Sequence, residues 1–185
     1  MRTADGERLL AVARASIEEG LRTGRPLRVR VDDYPEALRA PGASFVTLEK
    51  QGHLRGCRGM LQAERPLVED VALNAFATAF EDPRFPPLDA AELDGIDISL
   101  SVLEAPQPLD VHSLRELEQR LRPGVDGLII DDGRHRATFL PSVWEQLPDP
   151  RAFIDQLWRK AGLPVGTWPA SLRVQRYGAE KIAGS

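Results

Sequence analysis

The chain has one cysteine and three histidines in 185 residues. A single thiol excludes an intrachain disulfide and any zinc or iron–sulfur site built from a cysteine cluster. The histidines stand apart at 53, 112 and 135, and Asp131-Asp132 lacks the spacing of a calcium loop, so neither a metal nor another cofactor is expected. Lysine occurs only at 50, 160 and 181 and the formal net charge is -4, so no global basic field points to nucleic acid. Aromatic residues make up 6% and are not interleaved with basic ones, which argues against RNA in the same way. There is no apolar N-terminal run and no uncharged apolar stretch of about 18 residues, so neither a secretion signal nor a membrane span is expected. The cytoplasm is the expected compartment. A phosphate loop with its lysine and a serine-elbow motif are also lacking, which removes support for nucleotide hydrolysis and serine-hydrolase chemistry.

What is present is ordinary in bulk: 42% hydrophobic and 28% charged residues, in a length that suits a single domain over 1–185. Leu9, Val12, Ala13, Ile17 and Leu21 recur at helical spacing and predict a helix from about Asp5 to Arg22. Residues 27–43 read as loop with a brief extended piece. Phe45 to Leu48, a turn at Gln51-Gly52 and the return His53 to Gly59 predict a hairpin. Pro66 opens a second, largely apolar helix reaching about Phe80. Ile96, Ile98, Leu100 and Val102 alternate with polar residues as in a half-buried strand. Ser113-Leu114-Arg115-Glu116 is a capping-box pattern, 125–140 a hairpin turning at Asp131-Asp132-Gly133, and Asp149-Pro150 the start of a last helix. Leu172 to Tyr177 is expected to return as an edge strand. The fold class is therefore α+β, a mostly antiparallel or mixed sheet flanked by helices.

Two clusters carry chemistry. In Leu54-Arg55-Gly56-Cys57-Arg58-Gly59 the only cysteine lies between two arginines and is bracketed by glycines. Adjacent cations favour a thiolate, but an unpaired cysteine is also a common small hydrophobe of packed strands. If the segment is extended, His53, Arg55 and Cys57 share one face and Leu54 and Arg58 the other. Arg55 and Cys57 are then about 6.6 Å apart, within a guanidinium's reach, and His53 and Cys57 about 13 Å apart, too far for a catalytic dyad. Asp82-Pro83-Arg84-Phe85 presents an acid, a base and a ring in a rigid turn. It serves either a site or a structural role, in which Arg84 pairs with Asp82 or a carbonyl and Phe85 plugs the core. Asn74, a polar residue on the apolar second helix, either satisfies buried backbone or faces a pocket.

These segments, with Phe45-Val46-Thr47-Leu48, Asn74-Ala75, Gly124-Val125-Asp126-Gly127-Leu128, Phe139-Leu140-Pro141 and Lys160-Ala161-Gly162-Leu163 following in order, closely resemble the AMMECR domain family, whose microbial members are called AmmeMemoRadiSam system protein A. The resemblance covers the chain from the first helix to about Tyr177. It implies a compact cytoplasmic domain of two unequal lobes, the smaller at about 123–168, with Leu-Arg-Gly-Cys as hallmark. It also implies two companions, a Memo-like protein and a radical SAM protein. Arg58 departs from the family pattern, where an aliphatic residue is usual. The leading expectation is a small enzyme or substrate-handling component with a cleft that binds an anionic small molecule or modified nucleotide. Cys57, Arg55, Asp82 and Arg84 are its expected catalytic residues, and Arg55, Arg84, Asn74 and Gly56 its expected substrate contacts. The alternative is a non-enzymatic binding or adaptor module, in which Cys57 fills the core and the arginines are structural.

Overall fold

The first helical stripe forms α1 (Thr3–Thr23), which buries Leu9, Val12, Ala13 and Ile17 along one side. A short helix, α2 (Glu36–Arg39), and the two-residue strand β1 (Pro41–Gly42) follow. The predicted hairpin is β2 (Ser44–Lys50) and β3 (His53–Gly59). Its turn places Gln51 and Gly52 at φ 52° and 77°, the left-handed pair that matches the twist of two-residue hairpin loops. A second two-residue strand, β4 (Arg65–Pro66), leads into α3 (Leu67–Phe80), with Pro66 as the residue before the helix rather than within its first turn. The alternating segment is β5 (Ile96–Leu103). This computed structural model describes residues 1–184.

The chain divides into two compact units, Met1–Leu103 joined by the segment from Glu180 onward, and Glu104–Ala179. The 123–168 stretch drawn from the sequence lies inside the second of these. That unit contains β6 (Gln107–Pro108), α4 (Leu114–Arg120), β7 (Gly127–Asp131), β8 (Arg136–Phe139), α5 (Pro150–Ala161) and β9 (Arg173–Tyr177). The chain then returns to the first unit as β10 (Ala179–Ala183). The fold is α+β, and among the described residues the strands form three antiparallel sheets: β1-β4, β10-β5-β2-β3 and β6-β9-β7-β8.

In the first unit α1 and α3 cover one face of the four-stranded sheet. Val46, Leu48 and Leu100 pack there with Leu9, Ile17, Val71 and Ala75. Each such valine, leucine or isoleucine stabilises the fold by roughly 1.5–3 kcal/mol when fully buried. The second unit has its own core around Phe153, Trp158, Leu128 and Ile130, with the Trp144 and Phe153 rings stacked 3.9 Å apart. Ser113 caps α4 by accepting from the Glu116 N–H, and Asp149 caps α5 by accepting from the Ala152 N–H. One topological expectation is corrected: 173–177 is not an edge strand, because β6 pairs along its other side. A two-residue strand ending in proline leaves almost no periodic signal. No helix among the described residues is long and apolar enough to cross a membrane.

Candidate functional site

The ladder between β2 and β3 breaks once. Glu49 pairs with Leu54 but Leu48 pairs with Gly56, so Arg55 is an extra residue, a β-bulge. A bulge sets two consecutive residues of one strand against a single residue of its partner and resets the side-chain alternation. The expected common face of His53, Arg55 and Cys57 is therefore corrected. Gly56 and Arg58 oppose Leu48 and Val46 on the helix-covered face, while Cys57 opposes Thr47 on the other face.

Arg55, 8% exposed, turns toward the loop after α3. Its Nη2 donates to the Pro86 carbonyl at 2.8 Å and to Glu92 Oε2 at 3.0 Å, and its Nε donates to Glu92 Oε1 at 3.3 Å. Hydrogen bonding from Arg55, with help from the Asp89 N–H and Lys50, holds the Glu92 carboxyl down at about 2. Glu92 was not singled out from the sequence, although Asp89-x-x-Glu92 is a capping-box spacing. The structure forms that box reciprocally: Asp89 N–H donates to Glu92 and Glu92 N–H to Asp89.

β3 lies at the border of its sheet, where alternate residues turn their N–H and C=O away from β2, and Cys57 is one whose groups find partners outside the ladder. Asp82 and Arg84 supply them. Asp82 Oδ2 accepts from the Cys57 N–H at 3.0 Å, and Arg84 Nη2 donates to the Cys57 carbonyl at 3.4 Å. The two side chains are locked to each other through Arg84 Nε to Oδ1 at 3.0 Å and Nη2 to Oδ2 at 2.8 Å. The Arg84 N–H adds a fourth bond to the carboxylate. Led by the Arg84 hydrogen bonds, this holds Asp82 well below the usual carboxylate range. A carboxylate so fully occupied is a poor proton acceptor. The Phe85 ring is near both cations, its centroid 5.9 Å from Arg55 Cζ and 5.5 Å from Arg84 Cζ.

Gly56 is where α3 rests on the sheet. A Cβ there would lie 2.6 Å from the Thr78 carbonyl oxygen, a separation no side chain tolerates without displacing the helix. Thr78 also accepts from the Arg58 N–H and donates to the Val46 carbonyl, both at 3.0 Å. Asn74, one turn earlier, sits in a buried network instead of beside Arg55 or Cys57. Its Nδ2 donates to the Ser44 carbonyl and to Asp70 Oδ2, and its Oδ1 accepts from Arg65 at 3.4 Å. Asp70 holds the network's centre, accepting from Ser44 N–H and Oγ–H and from Arg65 Nε. Burial pushes its carboxyl up, against the opposing pull of Ser44 and Arg65.

Cys57 itself is half-buried, with its Sγ 3.3 Å from Thr47 Oγ1. Thr47 is also in register with Ser99 on β5, so a thiol and two hydroxyls form one row across three strands. The structure thus brings Arg55, Cys57, Asp82 and Arg84 together around the middle of β3, with Gly56 beneath α3 and Asn74 elsewhere. Thr47, Thr78 and Glu92 join them, none of which carries a signal in composition or periodicity.

The chain is similar to a protein of Methanothermobacter thermautotrophicus, 41% identical over 178 residues that cover 95% of this chain and 92% of that one. A protein of Thermofilum pendens is 37% identical and covers 95% and 88% of the two chains. Among solved structures, the crystal structure of protein PH0010 from Pyrococcus horikoshii matches with a TM-score of 0.86 and 34% identity, over 95% of this chain and 89% of that chain. The AMMECR1 family model matches residues 10–182, a span running through both units. The chain belongs to the AMMECR1 family.

Proposed function

We propose that this chain is a binding or adaptor component and not a catalyst. One observation supports the reading: the charged groups expected to line a cleft at Cys57 already have protein partners. Arg55 is held by Glu92 and a carbonyl, Arg84 by Asp82 and the Cys57 carbonyl. An anionic substrate would have to displace a carboxylate held ionised by that same arginine. The partners to try first are those the family resemblance implies, a Memo-like protein and a radical SAM protein. Calorimetric titration of the chain with each purified partner tests this. Cys57→Ser is expected to bind as the wild type does, with Arg58→Ile included because position 58 departs from the family pattern. Metabolite profiling of cells carrying wild type or Cys57→Ser supplies the opposing result. A compound consumed only in the presence of the thiol would sink the adaptor reading.

A thiol-dependent substrate-handling role is the second reading, and the half-buried Cys57 thiol in one row with the Thr47 and Ser99 hydroxyls favours it. Iodoacetamide labelling at neutral pH separates the two. Labelling faster than that of free cysteine supports the second reading, and slower labelling the first.

A further inference from the structure

The second unit holds a cleft of about 530 Å³ whose arginines, unlike Arg55 and Arg84 in the first, lack partners. Asp131, the last residue of β7, is in register with Arg136 on β8 and with Arg173 on β9. Residues directly opposite on an antiparallel ladder project to the same face. The three therefore form a row, Arg136–Asp131–Arg173, with the arginine Cα atoms roughly 10 Å apart at two strand spacings. Both arginines are exposed, and among the described residues neither makes an ion pair or a side-chain hydrogen bond. Asp131 is fixed by the hairpin turn, its Oδ1 accepting from the Gly133 N–H at 2.8 Å, which leaves Oδ2 free. Gln175 is half-buried in the same cleft, and the His112–Asp110 pair, 2.8 Å between ring nitrogen and carboxylate, stands exposed at its border.

Two free guanidiniums on one face suit a phosphate or carboxylate, which each can grip with two parallel N–H bonds. The carboxylate between them repels a bare anion and instead selects a ligand that also offers a donor. The volume is that of an ordinary small-molecule site. We propose that this cleft binds a phosphate- or carboxylate-bearing metabolite that also carries an amino, amide or hydroxyl donor. Arg136 and Arg173 take the anion and Asp131 takes the donor. The site shares no residue with the one around Cys57 and does not depend on how that one is read.

Calorimetry on the full chain at low salt tests this with three probes: inorganic phosphate, AMP and glutamate. At least one of AMP and glutamate is expected to bind roughly tenfold more tightly than phosphate. The double variant Arg136→Gln, Arg173→Gln is expected to weaken that binding by roughly tenfold or more. Asp131→Asn is expected to act in opposite directions, weakening the donor-bearing probe and strengthening phosphate. Circular dichroism melts check that the variants stay folded. No binding of any probe at about 10 mM, or binding that the double variant leaves unchanged, overturns the proposal.

Discussion

Arg55 and Arg84 in the first unit and Arg136 and Arg173 in the second are all sheet-associated arginines, yet they live in opposite circumstances. The first two are closed into ion pairs with Glu92 and Asp82. The second two flank a single carboxylate in register and touch no acid within ion-pair distance among the described residues. Arg84 finds its acid two residues away, across Pro83, but for Arg55 the difference comes from what the fold delivers. Glu92 reaches Arg55 from 37 residues further along the chain. Asp131 is only five residues from Arg136 and on the same face, yet the turn engages one of its oxygens through the Gly133 N–H and neither arginine closes onto it. An arginine beside a cysteine looks reactive in a sequence, but its availability is decided by which carboxylates the loops bring to it.

That contrast can be broken most severely at the first unit's buried network. Asp70→Ala removes the acceptor shared by Ser44, Asn74 and Arg65 and is expected to destabilise by about 3 kcal/mol or more, read from urea midpoints. Asp82→Ala comes next, at about 2 kcal/mol, because it strands the Cys57 N–H and the Arg84 fork together. An acid titration of stability sharpens the same side. Asp82 and Glu92 sit below their ordinary values of 3.8 and 4.5, so the folded state favours their ionised forms. Their contribution is complete above about pH 5 and drains away as pH falls through the ordinary values toward about 2, where Glu92 titrates in the fold. Glu92→Gln should flatten that acid limb. Asp70 has the opposite sign, since its raised value makes the ionised form the costly one. The smallest effect belongs to the second unit: Arg136→Ala with Arg173→Ala should change stability by no more than about 0.5 kcal/mol. A larger loss there would mean that the two arginines are structural after all.

Much of the fold was legible because its signals are local. The α1 stripe, the Gln51-Gly52 turn, the Ser113 and Asp149 caps and the alternation of β5 each declare themselves within a few residues. Strands β6 and β10 were not, since a two-residue strand has no period and Ala-Glu-Lys-Ile-Ala offers a single strand-prone side chain, Ile182. At the site, Asp82 with Arg84 could be read as a pair because proline fixes their spacing. The facing of Arg55 could not. One inserted residue leaves composition unchanged while exchanging the two faces of everything beyond it, and only the partner strand reveals the slip.

The Asp82–Arg84 clasp also has a consequence for how the protein comes to be made. β3 carries Leu54 near its start and is followed by Met60, 44% and 37% exposed, and an open strand border with exposed apolar side chains invites pairing with other chains. The carboxylate that fills this border comes 25 residues after the backbone it fills, beyond the whole of α3. On the ribosome the hairpin therefore exists before its guard does. Until Arg84 has emerged this border of the hairpin lacks its guard, and crowded, half-made copies are able to add strands to it.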